Sequence, residues 1–173
     1  MVFGMTLSTF TLLHVVISLI GIGSGIIVLA GLLTGKRLDG WTALFLATTV
    51  TTSVTGFGFP FDHLLPSHKV GMISLVVLAI AIPARYTFHL SGAWRKIYVI
   101  GAVLALYLNV FVLVVQGFLK VSALNALAPT QTEPPFLVAQ LAVLALFVLL
   151  GVRAVKRFKD KPVRANASRS ATA

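Results

Sequence analysis

The chain has 173 residues, 58% of them hydrophobic, with a mean hydropathy of +1.00, no cysteine, and a formal net charge of +10 from 14 Lys and Arg against 4 Asp and Glu. That apolar content exceeds what a soluble core of this size would bury, so the dominant solvent is lipid. The cations lie between and after long apolar runs, which marks loops and not a nucleic-acid surface; the absence of cysteine excludes disulfides, iron–sulfur clusters and thiol nucleophiles.

Five apolar segments follow, each near the ~20 residues needed to cross about 30 Å of hydrocarbon. The first covers about 11–33 and stops at Thr34-Gly35-Lys36-Arg37. The second, about 41–57, is rich in threonine, whose hydroxyls can bond back to their own helix and so remain tolerable in lipid. The third, about 67–88, begins after Pro66 and carries Pro83 near its end. The fourth spans about 97–118, and the fifth about 136–156, opening on Pro134-Pro135 as a helix-entry signal. Between the last two, Val121, Leu124 and Leu127 suit a short interfacial turn ahead of the polar stretch 129–135.

Charge decides the number of crossings. With five, Lys36 and Arg37, then Arg85, Arg95 and Lys96, then the seven cations from Arg153 to Arg169 fall on one side, and only Lys69 and Lys120 on the other. A four-crossing chain would split the first loop from the tail. By the positive-inside bias the basic side is cytoplasmic. The expectation is an all-α integral membrane protein of the cytoplasmic membrane: a five-helix transmembrane domain over residues 1–157, N-terminus outside, and a disordered basic cytoplasmic tail over 158–173.

Helical phase then sorts faces. In the first segment Thr11, His14, Ser18, Gly21 and Gly25 share one small, polar stripe, suited to close helix packing; in the fourth, Tyr98, Ala102, Ala105, Asn109, Val112 and Gln116 share another. With the helices oriented, His14, Thr52, Thr55, His68, Ser74, Asn109, Gln116 and Gln140 all fall in the outer half, with Asp62, His63 and Glu133 in the loops above. Polar groups within a membrane face a cavity, a ligand or one another, so the outer half is where function is expected.

Neutral imidazole ligates haem iron, copper and zinc. His14 and His68 are therefore a candidate bis-His site for a b-type haem between the first and third segments. Alternatively, His14, His63 and His68 with Asp62 or Glu133 form a candidate copper or zinc site. Thr52, Asn109, Gln116 and Gln140 are the amides and hydroxyls that would line the same cavity and orient the rings. His89 lies 21 residues from His68, about 31 Å along a helix, so a second haem has no inner pair. With Arg85, Tyr86, Arg95 and Tyr98, His89 reads as an inner interfacial cluster for lipid headgroups or a quinone ring.

Every Asp and Glu lies in a loop or tail, which disfavours an intramembrane proton relay. No nucleophile, base and orienting acid come together, and no glycine-rich phosphate loop precedes a helix. The helix count and paired histidines resemble small b-type cytochrome subunits in outline, but no family motif matches residue for residue. The expected function is a redox or metal-handling membrane protein that is not an enzyme by itself. The other readings are an accessory or assembly subunit of a larger membrane complex and a binder of quinone, lipid or small solute. Partners are the lipid bilayer and a membrane protein or a second copy of the chain; no nucleic acid is expected.

Overall fold

The computed structural model describes residues 4–59 and 66–159, and in them the chain is helical with no strand. Five long helices, α1 (Leu7–Leu33), α2 (Asp39–Thr55), α3 (Pro66–Tyr86), α4 (Ala93–Lys120) and α6 (Pro134–Arg157), are joined by short connections. A single 3-10 turn, Gly56–Gly58, extends α2, and a six-residue helix α5 (Ser122–Leu127) sits between α4 and α6. Asp62, His63 and the tail from 160 onward lie outside the described residues.

Local chemistry sets the ends. Thr6 caps α1 by accepting the Thr9 amide at 3.2 Å. Gly35, at φ +70°, turns the chain away after α1 while the Lys36 amide bonds the Gly31 carbonyl at 2.8 Å. Asp39 places a carboxylate in the first turn of α2, where the helix dipole favours it. After α3, the Leu90 amide returns to the Ala84 carbonyl at 3.0 Å through a turn in which His89, Leu90 and Gly92 all have positive φ. That conformation is unfavourable for non-glycine residues, and burial of Leu90 in the core together with the Phe88–Trp94 stack, 3.8 Å between centroids, holds it.

Successive long helices run in opposite directions. Asp39 at the start of α2 pairs with Arg85 at the end of α3, and Arg95 at the start of α4 donates to the Phe158 carbonyl just past α6. At the opposite end His14 of α1 meets Thr55 of α2, and Phe118 of α4 meets Phe136 of α6. One end of the bundle therefore collects nine of the eleven described cations, and the other holds only Lys69 and Lys120. Four helices, α1, α3, α4 and α6, are long and apolar enough to cross a membrane; α2, with 17 residues, is the exception among the long helices.

α4 is the hub. Its Tyr98, Val99, Ala102, Ala105 and Leu106 are all buried and pack with Leu29, Phe45, Leu78 and Phe147 from the surrounding helices. Close approach depends on missing side chains. A Cβ on Gly25 would lie 2.6 Å from Leu106 Cδ1 and 2.8 Å from Phe45 Cε2, and one on Gly101 would lie 2.8 Å from Ala81 Cβ. Phe45 and Leu106 are themselves buried and have nowhere to retreat. Gly25→Ala is therefore expected to destabilise the bundle by about 1–3 kcal/mol despite alanine's better helix propensity, whereas Gly23→Ala, with nothing within 4 Å, is neutral or gains up to about 1 kcal/mol. Reversible unfolding of both variants in the same detergent measures the difference.

Candidate functional site

At the histidine end, hydroxyls satisfy most of the polar side chains. The Thr55 hydroxyl gives its proton to the Thr51 carbonyl at 2.7 Å, so the 2.9 Å contact between His14 Nδ1 and Thr55 Oγ1 has the imidazole as donor. Ser18 bonds the His14 carbonyl at 2.7 Å and reaches Thr52 at 3.4 Å. Ser53 bonds Ser74 at 3.0 Å, and Asn109 donates to Thr49 at 3.1 Å. These bonds link α1 to α2, α2 to α3, and α4 to α2.

His14 and His68 make their contacts with different residues of α2 and the turn after it. His14 lies against Thr55 and Phe59, with ring centroids 5.1 Å apart from the latter, and His68 lies against Phe57 at 5.6 Å. Thr52 and Thr55 look towards α1, while Ser53 and Phe57 look towards α3. α2 and its terminal turn therefore serve His14 on one side and His68, which is buried, on another. Among the described residues no three of His, Asp and Glu converge on a point where a metal ion could sit. The three-histidine arrangement with Asp62 includes residues outside the described chain.

The remaining outer candidates are dispersed. Gln116 is exposed. Gln140 donates from Nε2 to the Phe111 carbonyl at 3.3 Å, tying α6 to α4, while its Oε1 is buried without a hydrogen-bond partner among the described residues. Glu133 is turned onto its own loop: its carboxylate accepts the Thr130 amide at 3.1 Å, the Thr130 hydroxyl at 2.9 Å and the Thr132 amide at 3.0 Å. Gln131 then reaches across to the Val115 carbonyl at 2.9 Å.

The inner cluster divides into an interior part and a surface part. Arg85 is 4% exposed and Tyr98 0% exposed, so both belong to the core and not to a headgroup surface. The guanidinium lies over the Tyr98 ring, 5.1 Å from its centroid, and beside Tyr86 at 5.6 Å, and it bonds the Asp39 carboxylate. The Tyr98 hydroxyl is buried near Thr42 and Arg85 without a well-formed hydrogen bond. Arg95 is committed to the Phe158 carbonyl, whereas Tyr86 and His89 are exposed, His89 bonding the Thr87 carbonyl at 2.9 Å. The Asp39–Arg85 bond is a contact that residue-type reasoning missed. Its signal was present: helix parity puts an acidic residue at the head of α2 level with an arginine in the last turn of α3.

A third feature lies on the flank. Between α4 and α6 runs an apolar groove of about 470 Å³, walled by residues including Ile100, Leu104, Tyr107, Leu144, Val148 and Val152, and ending at Lys156. It exists because α6 touches its neighbours along a narrow seam, burying only Phe147 and Ala154 within its helical span, with Gly151 close to Val103. The volume lies within the ~300–1,000 Å³ typical of small-molecule sites. No family model, curated protein or solved structure matches this chain. Function must therefore be read from the geometry alone.

Two outcomes follow. Removing Asp39 strands a buried guanidinium, whereas removing Arg85 removes the charge itself, so Asp39→Ala should destabilise more than Arg85→Met although Asp39 is the exposed partner. A loss of about 2–3 kcal/mol is expected for Asp39→Ala, below the ~3–5 kcal/mol of wholly buried pairs because water reaches the carboxylate. The double variant should match Arg85→Met, and unfolding titrations of the cycle test this. For Glu133, burial opposes the charged form but is outweighed by the bonds from its own amide and from Thr130 and Thr132, which hold the carboxyl below the ordinary value. A lowered folded pKa stabilises the loop above the ordinary carboxylate range, and the effect is lost as pH falls through the lowered value. NMR titration should show Glu133 ionising at lower pH than a free glutamate, and Thr130→Ala should raise it.

Proposed function

We propose that the protein is a non-catalytic, five-crossing component of the cytoplasmic membrane, N-terminus outside and basic C-terminus inside, that binds an apolar, membrane-dissolved molecule such as a lipid or isoprenoid quinone in the α4–α6 groove. Two observations support the topology. α2, though only 17 residues and about 25 Å long, reaches from the Asp39–Arg85 pair at one end to His14 at the other. The clustering of nine described cations at one end fits a cytoplasmic face there.

The binding role is carried by one contrast: the polar side chains inside the bundle are largely paired with one another, while the groove is apolar and opens on the exposed flank. A proton or metal function would call for convergent titratable groups with unspent donors or lone pairs. His14 Nδ1 is engaged by Thr55, and among the described residues no three of His, Asp and Glu gather where a metal ion could be held. The reading therefore does not pass through a metal.

Native mass spectrometry of protein released from lipid nanodiscs tests the proposal. The wild-type chain should retain a small hydrophobic molecule. Leu104→Trp, which fills the groove from a partly exposed position, should lower that retention about tenfold with the helical circular dichroism unchanged. Equal retention by both proteins would refute groove binding.

A further inference from the structure

The groove has chemically different ends, and this bears on which lipid it holds. Along α4, Lys96, Ile100, Leu104 and Tyr107 follow one stripe at i, i+4, i+8 and i+11, so Lys96 stands one turn beyond the apolar wall at the basic end. On α6, Leu144, Val148, Gly151 and Val155 keep the same phase, with Lys156 at the edge of that stripe, while Arg153 and Arg157 fall on the opposite side. The Arg95 bond to the Phe158 carbonyl holds the start of α4 level with the end of α6. Lys96 and Lys156 thus flank one mouth of a groove that is otherwise apolar.

Resting on the groove reading above, we infer that the occupant is an anionic phospholipid, one acyl chain lying between α4 and α6 and its phosphate held between Lys156 and Lys96. The physical reason is selectivity. A bilayer is as apolar as the groove, so moving a chain from one to the other gains little, and preference must come from the headgroup. Basic pockets between helices at the cytoplasmic face provide such a preference, and an ammonium on a flexible stem suits a phosphate as a point charge. A cation at the interface also keeps its charge in water while its stem covers apolar wall.

The experiment uses the full chain in nanodiscs of mixed phosphatidylglycerol and phosphatidylcholine, read by native mass spectrometry. The wild type should retain one phosphatidylglycerol in preference to phosphatidylcholine. K96Q/K156Q should reduce that preference about tenfold or more, while R153Q/R157Q, which removes the same charge from the opposite face, should leave it unchanged. Equal loss in both double variants would mean diffuse attraction to an anionic surface and would overturn the inference. If Leu104→Trp releases lipid but K96Q/K156Q keeps the wild-type preference, the headgroup assignment fails while the groove stands. If Leu104→Trp and K96Q/K156Q both behave as wild type, both fail.

Discussion

The constraint on which this structure turns is that hydrocarbon offers no hydrogen-bond partner, so a polar group inside the bundle must be satisfied by the protein itself. The chain meets it chiefly with hydroxyls. Ser24, Thr48, Thr51 and Thr55 each return a proton to a carbonyl one turn earlier in their own helix at 2.7–2.9 Å. Having spent the proton locally, the oxygen still has lone pairs for a neighbour. Thr55 uses one for His14, and α2 can then be both internally satisfied and polar towards α1. That is why a threonine-rich helix of only 17 residues is tolerated in the middle of the fold.

The same constraint explains why Arg85 is not a surface anchor. A guanidinium inside a bundle has to be paired, and the nearest end of α2 supplies a carboxylate that also complements its own helix dipole. Asp39 therefore does two things at once, and the rings of Tyr98 and Tyr86 accept the cation's remaining faces. With Arg95 closing α4 onto the end of α6, the basic end is held by directed polar contacts where the middle of the bundle is held by packing around glycine and alanine.

How much of this was legible in the sequence depends on the range of the interaction. Apolar run length and terminal signals such as Gly35 and Pro134-Pro135 act locally, and they locate the long helices to within a few residues. Helical phase is also local, and it puts His14, Ser18, Gly21 and Gly25 on the stripe of α1 that meets α2. Which helix stands beside which is not local. Sequence depth pairs His14 with His68, whereas the contacts of each run to a different residue, Thr55 for His14 and Phe57 for His68. Depth could be counted from the sequence; azimuth around the bundle could not. Gln116 shows the same dependence, for its stripe on α4 is buried at Tyr98, Ala102 and Ala105 and exposed at Gln116.

Azimuth also produces the groove, and here the contrast between α4 and α6 is instructive. Both helices are strongly apolar, so hydropathy makes them alike. α4 is enclosed by neighbours and buries a broad face, whereas α6 buries only Phe147 and Ala154 within its helical span. Two round helices meeting along a narrow seam leave a wedge beside it, and bulky residues on the flanks, Leu104 and Leu144 among them, deepen the wedge into a groove. Since a Cβ on Gly151 would already lie 3.4 Å from Val103 Cγ1, sliding α6 inward to close the groove would press the α6 backbone onto the Val103 side chain. The concavity is thus a consequence of the packing that secures α6, and the groove stays open along its apolar walls.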